Sequence, residues 1–176
     1  MIIEDMLKRC LFFVIIGFAC SAHVQAQSSV EESNLKAVFI YNFTKYIDWD
    51  ISGSDDFVIG VIGSSPVYTY LKDIARTKTV NDKKIVLKHF TNPEELTFCN
   101  VLFISGNSTF SLSSVLSRTI RGTLTIGEEP GFAEMGTALN FFVDKDKIKF
   151  EANVRSLNAA GLKASSQLLK LARIVN

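Results

Sequence analysis

Few residues in this chain could do chemistry, and most are weakly placed for it. His89 is the only histidine after the first 26 residues. No Ser-His-Asp or Cys-His arrangement can form without it, and no G-x-S-x-G elbow occurs. In "LKHFTNP" it reads as a strand-end surface residue. A histidine-rich metal site is excluded by the same count. Adjacent carboxylates occur at Asp55-Asp56, Glu94-Glu95 and Glu128-Glu129. Neighbours in sequence point apart on most backbones, so such pairs read as solvated loop groups. Only Glu128-Glu129 follows a predicted parallel strand, where α/β proteins place their sites. The segment Gly63 to Pro66 ("GSSP") leaves a strand and opens a helix. Ser64 and Ser65 could offer hydroxyls to a ligand there, but the motif is shorter than a phosphate-binding loop and has no lysine. A turn with proline at the first helical position explains every residue of it and is the preferred reading. No catalytic residue, metal site or cofactor is predicted.

The elements that must position these residues follow from hydrophobic patterning. "FVIGVIG" (57–63), "VLFIS" (101–105) and "TLTIG" (123–127) are apolar on both faces, as buried parallel strands are. A further strand is expected at 84–88. Helical spacing of Leu35, Val38, Phe39, Asn42, Phe43 and Tyr46 predicts a first helix ending at Ile47 to Trp49, with Ser28 or Ser29 as its cap. Short helices are expected after Pro66, at Pro93 to Leu96 and around Phe110 to Arg118. "ALNFFVD" and "KIKFEAN" flank Lys145-Asp146 and predict an antiparallel hairpin. A last helix is expected from Val154 to Ile174, with Leu157, Gly161, Ala164, Leu168 and Leu171 on one face. Asn153 is its natural N-cap, and Arg155 could pair with Glu128 or Glu151. The fold expected is an α/β three-layer sandwich with a mainly parallel mixed sheet, a C-terminal β-hairpin and a final helix.

Three loops then leave strands in one direction: Gly63 to Pro66, Gly106 to Thr109 and Glu128 to Gly136. Together they predict a shallow crevice for a small ligand at Ser64, Asn107 and Glu128. Phe132 and Met135 offer an apolar contact to a protein instead.

Composition limits the partners. The chain has 176 residues, 47% of them hydrophobic, with 19 Lys and Arg against 18 Asp and Glu. Without a basic surplus, nucleic acid is not an expected ligand. Lys8 and Arg9 precede the apolar run Leu11 to Ala19, and Val24-Gln25-Ala26 supplies small residues at a cleavage site. Residues 1–26 therefore read as a secretory signal peptide, and 27–176 as one domain working outside the cytoplasm. Lipidation at Cys20 is disfavoured, because no branched apolar residue stands three positions upstream. Cleavage removes Cys10 and Cys20, leaving Cys99 unpaired within the chain and most simply a small buried hydrophobe.

The segments "LKAVFIYNFTKYIDW", "IGVIGSS", "CNVLFIS", "GTLTIGEEPGFAEMGTALNFF" and "KFEANVRSLNAAGLKASSQLLKLA" closely resemble the YfiR family of periplasmic proteins, the DUF4154 domain. The resemblance runs from about Asn34 to Val175. It implies a repressor that holds a membrane diguanylate cyclase inactive through the cyclase's periplasmic region, controlling cyclic-di-GMP and biofilm formation. Related domains occur with sensor histidine kinases, and members tend to form homodimers. The chain departs from the family pattern at several points. The strand 57–63 lacks a cysteine that could bridge to Cys99, and the hairpin-region cysteine pair is absent. Asp50 replaces a proline, and Gly127 stands where an acid is common, with Glu128 next.

Overall fold

The computed structural model describes residues 30–49 and 56–175. The signal-peptide reading, the serine caps at 28 and 29 and the connection 50–55 lie outside the described residues. In chain order, helix α1 (30–43) leads to strand β1 (Ile47–Asp48), β2 (Asp56–Ile62), α2 (Val67–Thr77), β3 (Thr79–Val80) and β4 (Lys83–Phe90). A 3-10 turn (Pro93–Glu95) precedes β5 (Val101–Ile104), α3 (Leu112–Leu116) and β6 (Leu124–Gly127). The chain ends with β7 (Leu139–Asp144), β8 (Lys147–Asn153), α4 (Val154–Ala160), β9 (Lys163–Ala164), α5 (Ser166–Leu171) and β10 (Arg173–Val175).

Among the described residues the main sheet has eight strands, ordered β3-β4-β2-β5-β6-β7-β8-β10. Strands β4, β2, β5, β6 and β7 are mutually parallel, while β3 and β8 run against their neighbours and β10 runs with β8. The three apolar runs become the central strands β2, β5 and β6, as full burial on both faces requires. Right-handed crossovers then dictate the layers. From β2 to β4 the chain moves one way, and α2 packs Val67 and Leu71 with Phe57, Ile59 and Val61. From β4 to β5 and on to β6 it moves the other way. Accordingly α3 packs Leu112 and Val115 on the opposite face, with Ile62, Leu102 and Ile104. Helices α1, α4 and α5 join the α2 face, which makes three layers. The expected hairpin forms too: Lys145 and Asp146 have φ of 50° and 60°, the left-handed pair of a type I′ turn.

The inward face of α1 keeps Phe39 and Phe43 of the expected stripe and otherwise differs from it. Ala37, Ile40, Phe43 and Thr44 are buried with Phe39 beside them, whereas Leu35, Val38 and Tyr46 are exposed. Ala37 and Ile40 face the sheet with Phe43, and Lys36 lies on the same side, where it reaches Glu128. The helix also ends before Ile47. Ile47 and Asp48 instead pair with Ala164 and Lys163 as a separate two-stranded ribbon.

The single last helix is also corrected. It breaks after Ala160, because Gly161 adopts φ +78° and closes the helix end. The Leu162 amide donates to Leu157 O and the Gly161 amide to Asn158 O, the two bonds of a Schellman motif. Gly161→Ala checks this by sign. In a helix interior alanine would add about 1 kcal/mol of stability. In a left-handed position it is expected to cost about 1–2 kcal/mol, with its Cβ also 2.8 Å from Arg121 Nη2. Urea unfolding of the variant measures which holds.

Candidate functional site at the sheet switch point

The parallel strands follow the doubly wound order in which the chain reverses direction between β2 and β5. Ligand crevices of such sheets lie there, beyond the carboxyl ends of the strands. The loops after β2 and β5 are joined by hydrogen bonds. Ser105, fully buried, donates from Oγ to Ser64 O at 2.8 Å and accepts from the Asn107 amide at 3.2 Å. Gly63 has φ +88°, and a Cβ there would lie 3.2 Å from Ser105 Cβ, so the close approach of the two loops favours glycine.

The loop after β6 supplies Glu128. Its Oε1 accepts from the Gly106 amide at 3.1 Å, and its Oε2 accepts from Lys36 Nζ of α1 at 2.7 Å. Lys36 also pairs with Glu32 at 2.7 Å. Burial opposes the Lys36 charge, but the hydrogen bonds to Glu128 and Glu32 outweigh it and hold its pKa above the ordinary lysine value. The result is a crevice of about 360 Å³ lined by Glu32, Ser33, Lys36, Ser65, Pro66, Gly106, Asn107, Glu128 and Glu129.

Ser65, Asn107 and Glu128 are therefore brought together, and the exposed Ser64 joins them through its carbonyl. Phe132 and Arg155 are not. Phe132 packs against the α3-side core. Arg155 is exposed beyond the end of β8, which runs against β7, so it points away from the carboxyl edge. The acids offered to it are engaged elsewhere: Glu128 by Lys36, and the buried Glu151 by Arg173 of the edge strand. Lys36 and Glu32 were absent from the predicted site. Their signal was a lone lysine on an apolar helix, four residues after a glutamate.

The arrangement favours binding over proton transfer. Both oxygens of Glu128 already accept hydrogen bonds. At the start of α2 the Val67 amide donates to Ser65 Oγ and the Tyr68 amide to Ser65 O, so those donors are satisfied within their own turn. With three carboxylates facing one lysine, an anion is a poor fit. His89 is exposed and its Nε2 lies 2.9 Å from the Gly63 carbonyl, a bond that requires the proton on Nε2.

The polypeptide from 128 to 136 is tied to the sheet by asparagines. Asn140 Nδ2 donates to Glu129 O and to Glu151, and Asn153 Nδ2 donates to Ala133 O at 2.8 Å. Gly127 lies under this loop. A Cβ there would stand 2.7 Å from both Asn140 Oδ1 and Phe132 Cδ2. A side chain has no room at 127, and the carboxylate reaching the crevice comes from Glu128.

Cys99 is free and buried. A Cβ at Gly60 of β2 would lie 2.7 Å from its Sγ. Burial pushes the thiol up to about 11, so it stays protonated at ordinary pH. A chain lacking residues 1–26 is expected to resist Ellman's reagent at pH 8 until denatured. Prompt reaction of the native protein would contradict this burial.

No match arises among curated proteins. A family model described as DUF4154, YfiR/HmsC-like, matches residues 33–173, which take in both the crevice and the asparagine-anchored loop. The chain belongs to the YfiR/HmsC-like family.

Proposed function

We propose that this chain is a non-enzymatic periplasmic regulator that binds and restrains a membrane signalling protein, either a diguanylate cyclase or a sensor histidine kinase. The observation that carries this reading is the family match over residues 33–173, since the family is regulatory in character. Export after loss of residues 1–26, one domain from residue 27 and a homodimer belong to the same proposal. The engaged carboxylate of Glu128 supports a binding role over hydrolysis. Deleting the gene should change whole-cell cyclic-di-GMP or the output of a sensor kinase, and re-expression should restore it. An unchanged signal in both assays would defeat the proposal.

The crevice between β2 and β5 favours a second reading, a sensor of a small periplasmic molecule. Its geometry suits an amine or polyol better than an anion, given the surplus of carboxylates. A thermal-shift screen with such compounds checks it, because a ligand selective for the folded form raises Tm. No shift at millimolar concentration would dismiss it.

A further inference from the structure

The crevice is one end of a longer trough. Beyond it lies a hollow of about 390 Å³ reaching Phe141, Phe142 and Val143, and then one of about 470 Å³ between α1 and the β7–β8 hairpin. Glu32 lines all three, and Val143 lines the last two. The three hollows therefore adjoin one another beside the first half of α1. Its ends differ in chemistry. The switch-point end is polar, whereas the hairpin end presents Leu35, Phe39, Val143 and Ile148. Leu35 is 45% exposed and Val143 57%, and these two face each other across the hairpin end. The walls carry Glu31, Glu32, Glu128, Glu129 and Asp146 against only Lys36 and Lys147. This local acidity occurs in a chain whose charges nearly cancel.

We infer that this trough is the docking surface for a basic amphipathic segment of the partner protein, with Lys or Arg over the acidic walls and two or three aliphatic side chains at the Leu35–Val143 end. The inference rests on the partner-binding reading above and specifies where that partner sits. Charge selects the occupant. Phosphate-bearing ligands and anionic lipid surfaces are repelled by the carboxylates, and a small molecule would leave most of the trough unfilled. A cationic segment gains from both ends, with the walls acting mainly on encounter and the apolar end on retention.

The test has an arm in solution and an arm in cells. In solution, a fluorescein-labelled amphipathic Lys/Leu 14-mer is titrated onto the chain. Glu31→Lys with Asp146→Asn, and separately Leu35→Asn with Val143→Asn, should each weaken binding about tenfold, a change near 1.4 kcal/mol. Added salt should weaken it as well, and a Glu/Leu peptide should not bind. All substituted residues are at the surface, and an unchanged Tm confirms folding of each variant. In cells, both double variants should show the signalling output of the deletion strain, and a photo-crosslinker at Val143, unlike one at Lys72 of α2, should capture a membrane protein. Variants that bind the peptide and regulate normally, while the deletion still alters the output, overturn the surface and leave the function standing. A crosslink at twice the chain's own mass overturns it as well, by assigning the trough to a second copy. If deletion is silent, the function fails and the peptide titration still judges the trough.

Discussion

Phe43→Ala is expected to destabilise the folded chain by about 3–5 kcal/mol, the range for truncating a fully buried aromatic. Phe43 is 2% exposed at the centre of an aromatic cluster. Its ring centroid lies 4.8 Å from that of Phe150 and 5.8 Å from that of Phe141, with Phe39 at 5.9 Å. Those partners come from α1, β7 and β8, so the cavity would loosen the contact that seats α1 on the sheet. A stable domain of this size has only about 5–15 kcal/mol in total. The urea midpoint should fall with little change in m-value. A midpoint shift corresponding to less than 1 kcal/mol would mean that α1 is not held by this cluster. Because Lys36 on the same helix holds Glu128, hydrogen-exchange protection should also fall at the Gly106 amide, which donates to Glu128.

Asn153→Ala should cost about 2–4 kcal/mol through two separate losses. Its Oδ1 accepts from the Ser156 amide at 2.9 Å as the N-cap of α4, and removing such a cap costs about 1 kcal/mol. Its Nδ2 satisfies Ala133 O in the 128–136 loop, and stranding a buried carbonyl costs about 1–3 kcal/mol. Asn153→Asp separates the two. The carboxylate keeps the cap, but it cannot donate and sets negative charge against the Ala133 carbonyl. Hydrogen exchange should therefore accelerate across 128–136 in both variants, and across α4 only in the alanine variant. Uniform acceleration in both would show that the loop and the helix open as one unit.

Asn153 shows what was readable in advance. Its role as a cap followed from residue type and position before a helix, because capping is a local bond. Its bond to Ala133, 20 residues earlier, was not readable, since nothing local connects those positions. The same division runs through α1. Helical spacing announced the helix, yet several positions supported overlapping stripes. The stripe read from spacing ran through Leu35, Val38 and Tyr46, which are exposed, and left out Ile40, which is buried. Neighbouring strands decided the rotation, through the aromatic cluster and the Lys36–Glu128 pair. At the C terminus, helix-forming residues on both sides of Gly161 concealed a break. Glycine is compatible with a helix interior and with a left-handed cap, and only the packing of Leu162 and the ribbon partner of Lys163–Ala164 chose between them.

The sequence by itself determined the buried strands, the hairpin turn, the α/β layering and the family resemblance. Each depends on residue periodicity, on the φ preference of a turn residue or on a string of matching residues. It also placed Ser64, Ser65, Asn107 and Glu128 on the loops that leave the parallel strands. Tertiary structure alone decided the order of those strands, and with it the switch point between β2 and β5 where the loops converge. It recruited Lys36 and Glu32 from α1 and excluded Phe132 and Arg155. The reason is distance along the chain: Lys36 and Glu128 are 92 residues apart. An ion pair at that separation leaves no periodic trace, because it exists only once the sheet and helix have packed.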